Sequence, residues 1–297
     1  MRTPLLRLDA PDPSAEIWLK LECLQPIGSF KLRGAGNAML LAPKEKLARG
    51  VYTASAGNMA QGVAWNARAL GIPCTVLVPE SAPRAKLAAI ERLQGRIVKL
   101  PYERWWQVLL DHGYPGMEGL FIHPVSDPAV IAGNGTIGLE ILEDLPGADT
   151  ILVPYGGGGL SCGIASAVNA LEPRARVFAC EVETAAPFAA SLKAGRPCAV
   201  AYTPSFVDGI GAKSMLPEMW PLASALLAGS LVVSLAEVAA AVKLLAERSR
   251  VVAEGAGASS VAAALKGVPA ASQIVCIVSG GNIDPDKLAK ILQGEVP

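Results

Sequence analysis

The stretch "TILVPYGGGGLSCGIASAVNAL", residues 150–171, sets the frame for the whole chain. Thr150 to Tyr155 is a short apolar run suited to a buried strand, and Leu160 to Leu171 repeats its apolar residues at spacings of three and four, as a helix does. Gly156, Gly157, Gly158 and Gly159 join the two. Strand, glycine turn and helix form one half of a parallel α/β unit. Bare backbone N–H groups at such a helix start make a cradle for phosphate, where a side chain would block the approach. No Gly-Lys-Ser/Thr follows, which excludes a P-loop. The GxGxxG pattern fails because Leu160, Ser161 or Cys162 stands where glycine is required. Glu181 and Glu183 lie about twenty residues on, where a dinucleotide fold holds a ribose, so a nicotinamide cofactor stays open beside the plain alternative of a mobile turn.

Outward from this unit the same order repeats. β-rich runs occur at 17–22, 51–55, 74–79, 96–101, 120–124, 176–182, 231–234 and 273–281, with helical periodicity at 58–70, 82–93, 135–142 and 235–249. Alternating strands and helices predict parallel sheets covered on both faces. No linker, repeat or low-complexity segment cuts the chain, so a second lobe is expected as an insertion into the first.

The 297 residues carry 26 Lys plus Arg against 26 Asp plus Glu, with no basic run, so the charge gives no footing for nucleic acid. A small neutral or zwitterionic substrate fits better. Six cysteines without a CxxC pair read as reduced cytosolic thiols. His112, at an expected helix end, and His123, at an expected strand end, read as structural, and no metal site is predicted. Neither a signal peptide nor a membrane span is present, so a soluble cytoplasmic protein is expected.

Four loops concentrate polar chemistry at expected helix starts. In "PIGSFKLRGAGNAM" (26–39) Ser29 is placed to cap a helix and Lys31 follows at once. A helix N-terminus disfavours an ammonium by about 0.3–1 kcal/mol. "TASAGNMAQG" (53–62) offers Ser55, Gly57 and Asn58 to a carboxylate or a phenolic oxygen, or simply caps its helix. "VSGGNIDPDK" (278–287) places Ser279 at the end of the last strand, to bond a ring heteroatom or close a turn, and in "VVAEGAGASS" (251–260) Glu254 opens a helix of small residues. With the glycine loop, these ask for a ligand carrying a phosphate, a ring and a partner for Lys31. Pyridoxal phosphate has all three, and its aldehyde condenses with a lysine and removes the disfavoured ammonium.

The ordered motifs "KLECLQPIGSFKLRGAGNA" (20–38), "TASAGNMAQGVAWNARALG" (53–71), "VIAGNGTIGLEIL" (130–142), "VPYGGGGL" (153–160), "AEGAGASSVAAAL" (253–265) and "VSGGNID" (278–284) resemble fold-type II pyridoxal-phosphate enzymes of the threonine/serine dehydratase and serine racemase group. The resemblance covers essentially the whole chain. It implies an α/β protein of two open, mostly parallel sheets flanked by helices, like the tryptophan synthase β chain, with a large cofactor domain of residues 1–49 and 127–297 and a small carboxylate-binding domain of 50–126. Lys31 becomes the Schiff-base lysine and the base at the substrate Cα, and Phe30 a wall beside the ring. Asn58 bonds the phenolic oxygen, Gly156 to Gly159 bind the phosphate, and Ser279 bonds the pyridine nitrogen. Ser55, Ala56, Gly57, Asn58 and Met59 form the substrate loop.

The implied activity is elimination from L-threonine or L-serine to a 2-oxo acid and ammonia, with homodimer or tetramer assembly. A serine at 279 cannot hold the pyridine nitrogen protonated as a carboxylate would, which favours prompt loss of a β-hydroxyl. Racemase members carry a second serine where Ala56 stands, so racemisation is expected to be weak; a racemase, or a dehydratase of a bulkier β-hydroxy amino acid, is the alternative. Met59, Asn134 and Val125 depart from the common pattern and bear on specificity. Glu181 matches a cation ligand of some racemases, but Pro187 stands in place of its acidic partner, so no metal is expected. Trp105 and Trp106 in the divergent "YERWWQVLLDHGYPGMEG" read as packing residues, and no regulatory domain or isoleucine feedback is expected after "LAKILQGEVP".

Overall fold

A computed structural model describes residues 1–10 and 15–297. The chain divides into two compact units, Met1–Gly28 with Gly135–Pro297 and the continuous segment Ser29–Asn134. The second is inserted into the first, and it is wider than the expected 50–126. Two features widen it: the helix that begins at Lys31 packs against the helix that begins at Asn58, and the division at the far end falls inside a helix of residues 128–144.

The inserted unit carries a parallel four-stranded sheet in the order β5-β4-β3-β6, formed by β3 (Val51–Ala54), β4 (Cys74–Pro79), β5 (Arg96–Leu100) and β6 (Leu120–Phe121). Its helices are α1 (Lys31–Leu41), α2 (Lys44–Leu47), α3 (Asn58–Leu70), α4 (Arg84–Arg92), α5 (Tyr102–Leu110) and the first part of α6 (Pro128–Asp144). Ala35, Met39, Val63, Ala67 and Val76 join in its core.

The larger unit carries a six-stranded sheet in the order β1-β2-β10-β7-β8-β9, formed by β1 (Leu5–Arg7), β2 (Glu16–Lys20), β7 (Thr150–Pro154), β8 (Arg176–Val182), β9 (Gly229–Val233) and β10 (Gln273–Ile277). Only β1 runs antiparallel, with Leu6 opposite Leu19. The helices are the rest of α6, α7 (Gly159–Leu171), α8 (Pro187–Ala194), α9 (Trp220–Leu226), α10 (Leu235–Leu244), α11 (Gly255–Lys266) and α12 (Pro285–Leu292). The helix expected over 235–249 changes to a π-helical turn at Leu245–Ser249 and stops where Arg250 turns left-handed at φ 58°.

Small residues let helices approach the sheet closely. At Gly257 a Cβ would come within 2.5 Å of the Gly280 carbonyl, and Ser260 Oγ donates to the Ile277 carbonyl at 2.9 Å. That contact fixes the end of β10, from which Ser279 follows. Among the described residues no helix is long and apolar enough to cross a membrane. All six cysteines are free, and burial pushes the thiols of Cys23, Cys74 and Cys162 up to about 12.

Candidate active site

Lys31 is the first residue of α1, and the cap expected from Ser29 is not made. Phe30 occupies the cap position in helical conformation without a side-chain cap bond, and the fully buried Ser29 hydroxyl has no hydrogen-bond partner among the described residues. The helix is pinned from its flank instead. A Cβ at Gly62 would stand 2.9 Å from the Lys31 carbonyl, and Asn66 Nδ2 donates to the carbonyls of Leu32 at 3.0 Å and Gly62 at 2.8 Å. Lys31 Nζ donates to the Pro124 carbonyl at 2.7 Å and lies 5.0 Å from the Phe30 ring centroid. An amine held against a fixed carbonyl is a placed nucleophile rather than a solvated surface charge.

Asn58 opens α3 after the end of β3, with Gly57 at the cap position. Ser55 Oγ accepts from the Gly57 N–H at 3.2 Å, so its own proton is directed elsewhere. Ser55, Ala56, Gly57 and Asn58 are half-buried, whereas Met59 is 2 % exposed and packs in the core of its unit. Met59 therefore offers a ligand its backbone and not its side chain.

The glycine loop leaves β7 and enters α7. Gly158 is left-handed at φ +96°, and a Cβ there would stand 3.0 Å from the Tyr155 hydroxyl. A side chain would fill this cradle. Tyr155 stacks on Phe188 with centroids 4.8 Å apart, and its buried hydroxyl has no partner among the described residues. Burial drives its pKa above the ordinary tyrosine range. The first-turn N–H groups of α7 have no carbonyl of their own helix to bond, which suits an anion. Ser279, 3 % exposed, follows β10 in the same unit. Within the larger unit, glycine N–H groups at a helix start and a hydroxyl at a strand end are donors that fit the phosphate and the ring nitrogen of a phosphorylated pyridine.

Glu181 has taken a structural position. Its carboxylate accepts from the N–H groups of Phe188 at 2.9 Å and Ala189 at 2.8 Å, and from Ser230 Oγ at 2.6 Å. Burial pushes its pKa up, against these bonds. The acid that sequence spacing would offer to a ribose holds the start of α8 instead.

Sequence reasoning set His123 aside, but the fold puts it beside the lysine's anchor. It lies just past β6, 3 % exposed, and its Nδ1 accepts from the Ser126 N–H at 2.8 Å and the Val125 N–H at 3.2 Å. His112 stacks on it at 4.4 Å and 14°. Burial, then His112 and Lys31, lower its pKa to about 3, so the ring is neutral. No local motif signals this; only the contact of residues 123–126 with α1 does.

The sequence pattern of the family described as pyridoxal-phosphate dependent enzymes matches residues 1–280. An L-threonine ammonia-lyase of Geobacter sulfurreducens is 41% identical over 285 residues, 93% of this chain and 70% of that one. The catabolic L-threonine dehydratase of Escherichia coli is 38% identical over 281 residues, 93% of this chain and 85% of that one. Maize serine racemase superposes with a TM-score of 0.89 at 34% identity, over 99% of this chain and 92% of that chain. With its lysine, glycine loop and strand-end serine in that order, the chain belongs to the fold-type II pyridoxal-phosphate-dependent enzymes, in the threonine/serine dehydratase and serine racemase family.

Proposed function

We propose that this protein is an ammonia-lyase that removes the β-hydroxyl and the amino group of L-threonine or L-serine, releasing 2-oxobutanoate or pyruvate and ammonia. The observation that carries the reading is Lys31 itself, an amine at the first position of α1 held on the Pro124 carbonyl. When bound, pyridoxal phosphate supplies an aldehyde that condenses with amines and a ring that draws electrons from the carbon beside the substrate nitrogen.

The chain's own residues do the rest. Lys31 would hold the cofactor through Nζ, and that same nitrogen, when free, would accept the proton from the substrate Cα. Phe30 covers the ring and keeps water from the amine. Ser55 Oγ would donate a hydrogen bond to the substrate carboxylate, joined by the N–H groups of Ala56 and Met59, while the Gly57 N–H holds the Ser55 oxygen in place, and Asn58 would bond the phenolic oxygen. Gly156 to Gly159 present N–H groups to the phosphate. Ser279 would bond the pyridine nitrogen without charging it, which would favour expulsion of the β-hydroxyl over return of a proton. Ala56 has no proton to return from the opposite face, and this favours elimination over the racemase reading.

The free cysteines support a reducing compartment, the cytoplasm. Leu40 and Leu41, 73% and 69% exposed at the end of α1, support a homodimer or tetramer. The test is purified protein with L-threonine, L-serine and a bulkier β-hydroxy amino acid, with 2-oxo acid, ammonia and D-isomer all assayed. Threonine or serine turnover that is lost in Lys31→Ala, along with the visible cofactor band, is expected. D-serine forming as fast as pyruvate overturns the elimination reading.

A further inference from the structure

We propose that His123 is the positioning residue for Lys31, acting through the turn that carries the Pro124 carbonyl. This deepens the reading of Lys31 above. The chain of contacts is continuous within the inserted unit. Nδ1 of His123 accepts from the N–H groups of Val125 and Ser126, and the Ser126 hydroxyl sits 2.9 Å from the same nitrogen. Those bonds fold residues 123–126 over the imidazole ring. Asp127 then takes over, its Oδ1 accepting from the Ala129 N–H at 2.8 Å as α6 begins. The carbonyl of Pro124 in this turn meets the amine, 2.7 Å from Lys31 Nζ. Asn37 Nδ2, from α1, donates to the Ala129 carbonyl at 2.7 Å and so ties the helix of the lysine to the start of α6, just past the turn.

The chemistry of the ring suits this task. Accepting N–H groups at Nδ1 fixes the tautomer with its proton on Nε2. Burial and the stack with His112 keep the ring neutral, so it adds no charge beside an amine that must lose its proton to react. A backbone carbonyl holds the amine in one place, and the ring holds the carbonyl.

The test uses the full-length chain freed of cofactor, so that its outcome does not depend on whether pyridoxal phosphate or threonine is the ligand. Asparagine places an oxygen where Nδ1 stands, while glutamine carries its oxygen one atom further out. His123→Gln is expected to speed acylation of Lys31 by acetic anhydride, read by peptide mass spectrometry, and exchange of the Val125 and Ser126 amides, each about tenfold. His123→Asn is expected to stay within about threefold of wild type on both readouts. A folded His123→Gln protein with wild-type acylation at Lys31 overturns the proposal. In the unaltered protein, nitrogen NMR is expected to find His123 protonated at Nε2 alone, and a proton on Nδ1 overturns it without any variant. Should the loaded wild-type enzyme not eliminate threonine, the function falls while these outcomes still decide the role of His123.

Discussion

The backbone carbonyl of Lys31 lies 2.9 Å from the point where a Cβ on Gly62 would stand, so α1 and α3 touch main chain to main chain at the residue that bears the amine. Neither surface can yield without moving Lys31. Gly62→Ala is expected to cost about 1–3 kcal/mol in urea unfolding through overpacking. Its larger signature is functional, a fall in kcat with the cofactor band retained, because a displacement of an ångström at the lysine costs about a hundredfold.

At Gly158 two penalties coincide, a left-handed backbone and the Tyr155 hydroxyl in the path of any Cβ. Gly158→Ala is expected to lose about 1–3 kcal/mol of stability and to bind pyridoxal phosphate more weakly, measured by titration of the cofactor-free protein. Tyr155→Phe is expected to be neutral or slightly stabilising, since it removes a buried hydroxyl with no partner.

The neutral His123 sets part of the acid sensitivity. Its pKa falls from 6.5 to about 3 on folding, so between those pH values the unfolded chain holds a proton that the folded chain refuses. Stability therefore drops as pH falls from about 6.5 towards 3, by up to about 1.4 kcal/mol per pH unit, and levels off below. His123→Asn removes this contribution. Urea midpoints at pH 6.5 and 4.5 are expected to converge in the variant relative to wild type, while the carboxylates contribute equally to both.

Lys20 is fully buried, with Nζ 2.7 Å from Glu140 and 2.7 Å from the Thr3 carbonyl. Removing Glu140 leaves the buried ammonium with the Thr3 carbonyl and the more distant Asp144 carboxylate at 3.7 Å. Glu140→Leu is expected to cost about 1–3 kcal/mol in thermal or urea unfolding, and Lys20→Met combined with Glu140→Leu to recover most of it. Additive losses from the two single changes would sink this account of the pair.

The parallel sheets were legible because buried strands such as "RVFACEV" and "CTVLVP" keep their runs whole between helices of clear period, and Arg176–Val182 and Cys74–Pro79 match those runs end to end. β1 was not legible: three residues are too few to show a period, and its direction is imposed by pairing with β2. Ser29 misled because a serine before a helix usually caps it, whereas here Phe30 is already helical and turns that hydroxyl into the core. His123 was passed over for the opposite reason. Its value lies in which carbonyl it orients, and that depends on contacts between segments some ninety residues apart, such as Lys31 with Pro124.

The inserted arrangement also orders events during synthesis. Residues 29–134 form a continuous unit whose first and last helices already meet, since a Cβ at Gly34 would fall 2.7 Å from the Val130 side chain. Its sheet and helices find their partners within those residues, without waiting for the rest of the chain. β2 has β1 on one edge from the start, but on its other edge Ile17 and Leu19 pair with Ile274 and Cys276, near the far end of the chain. That edge of the two-stranded N-terminal pair must therefore wait through nearly the whole of translation, which makes it the strand edge most exposed to wrong pairing and to capture by chaperones.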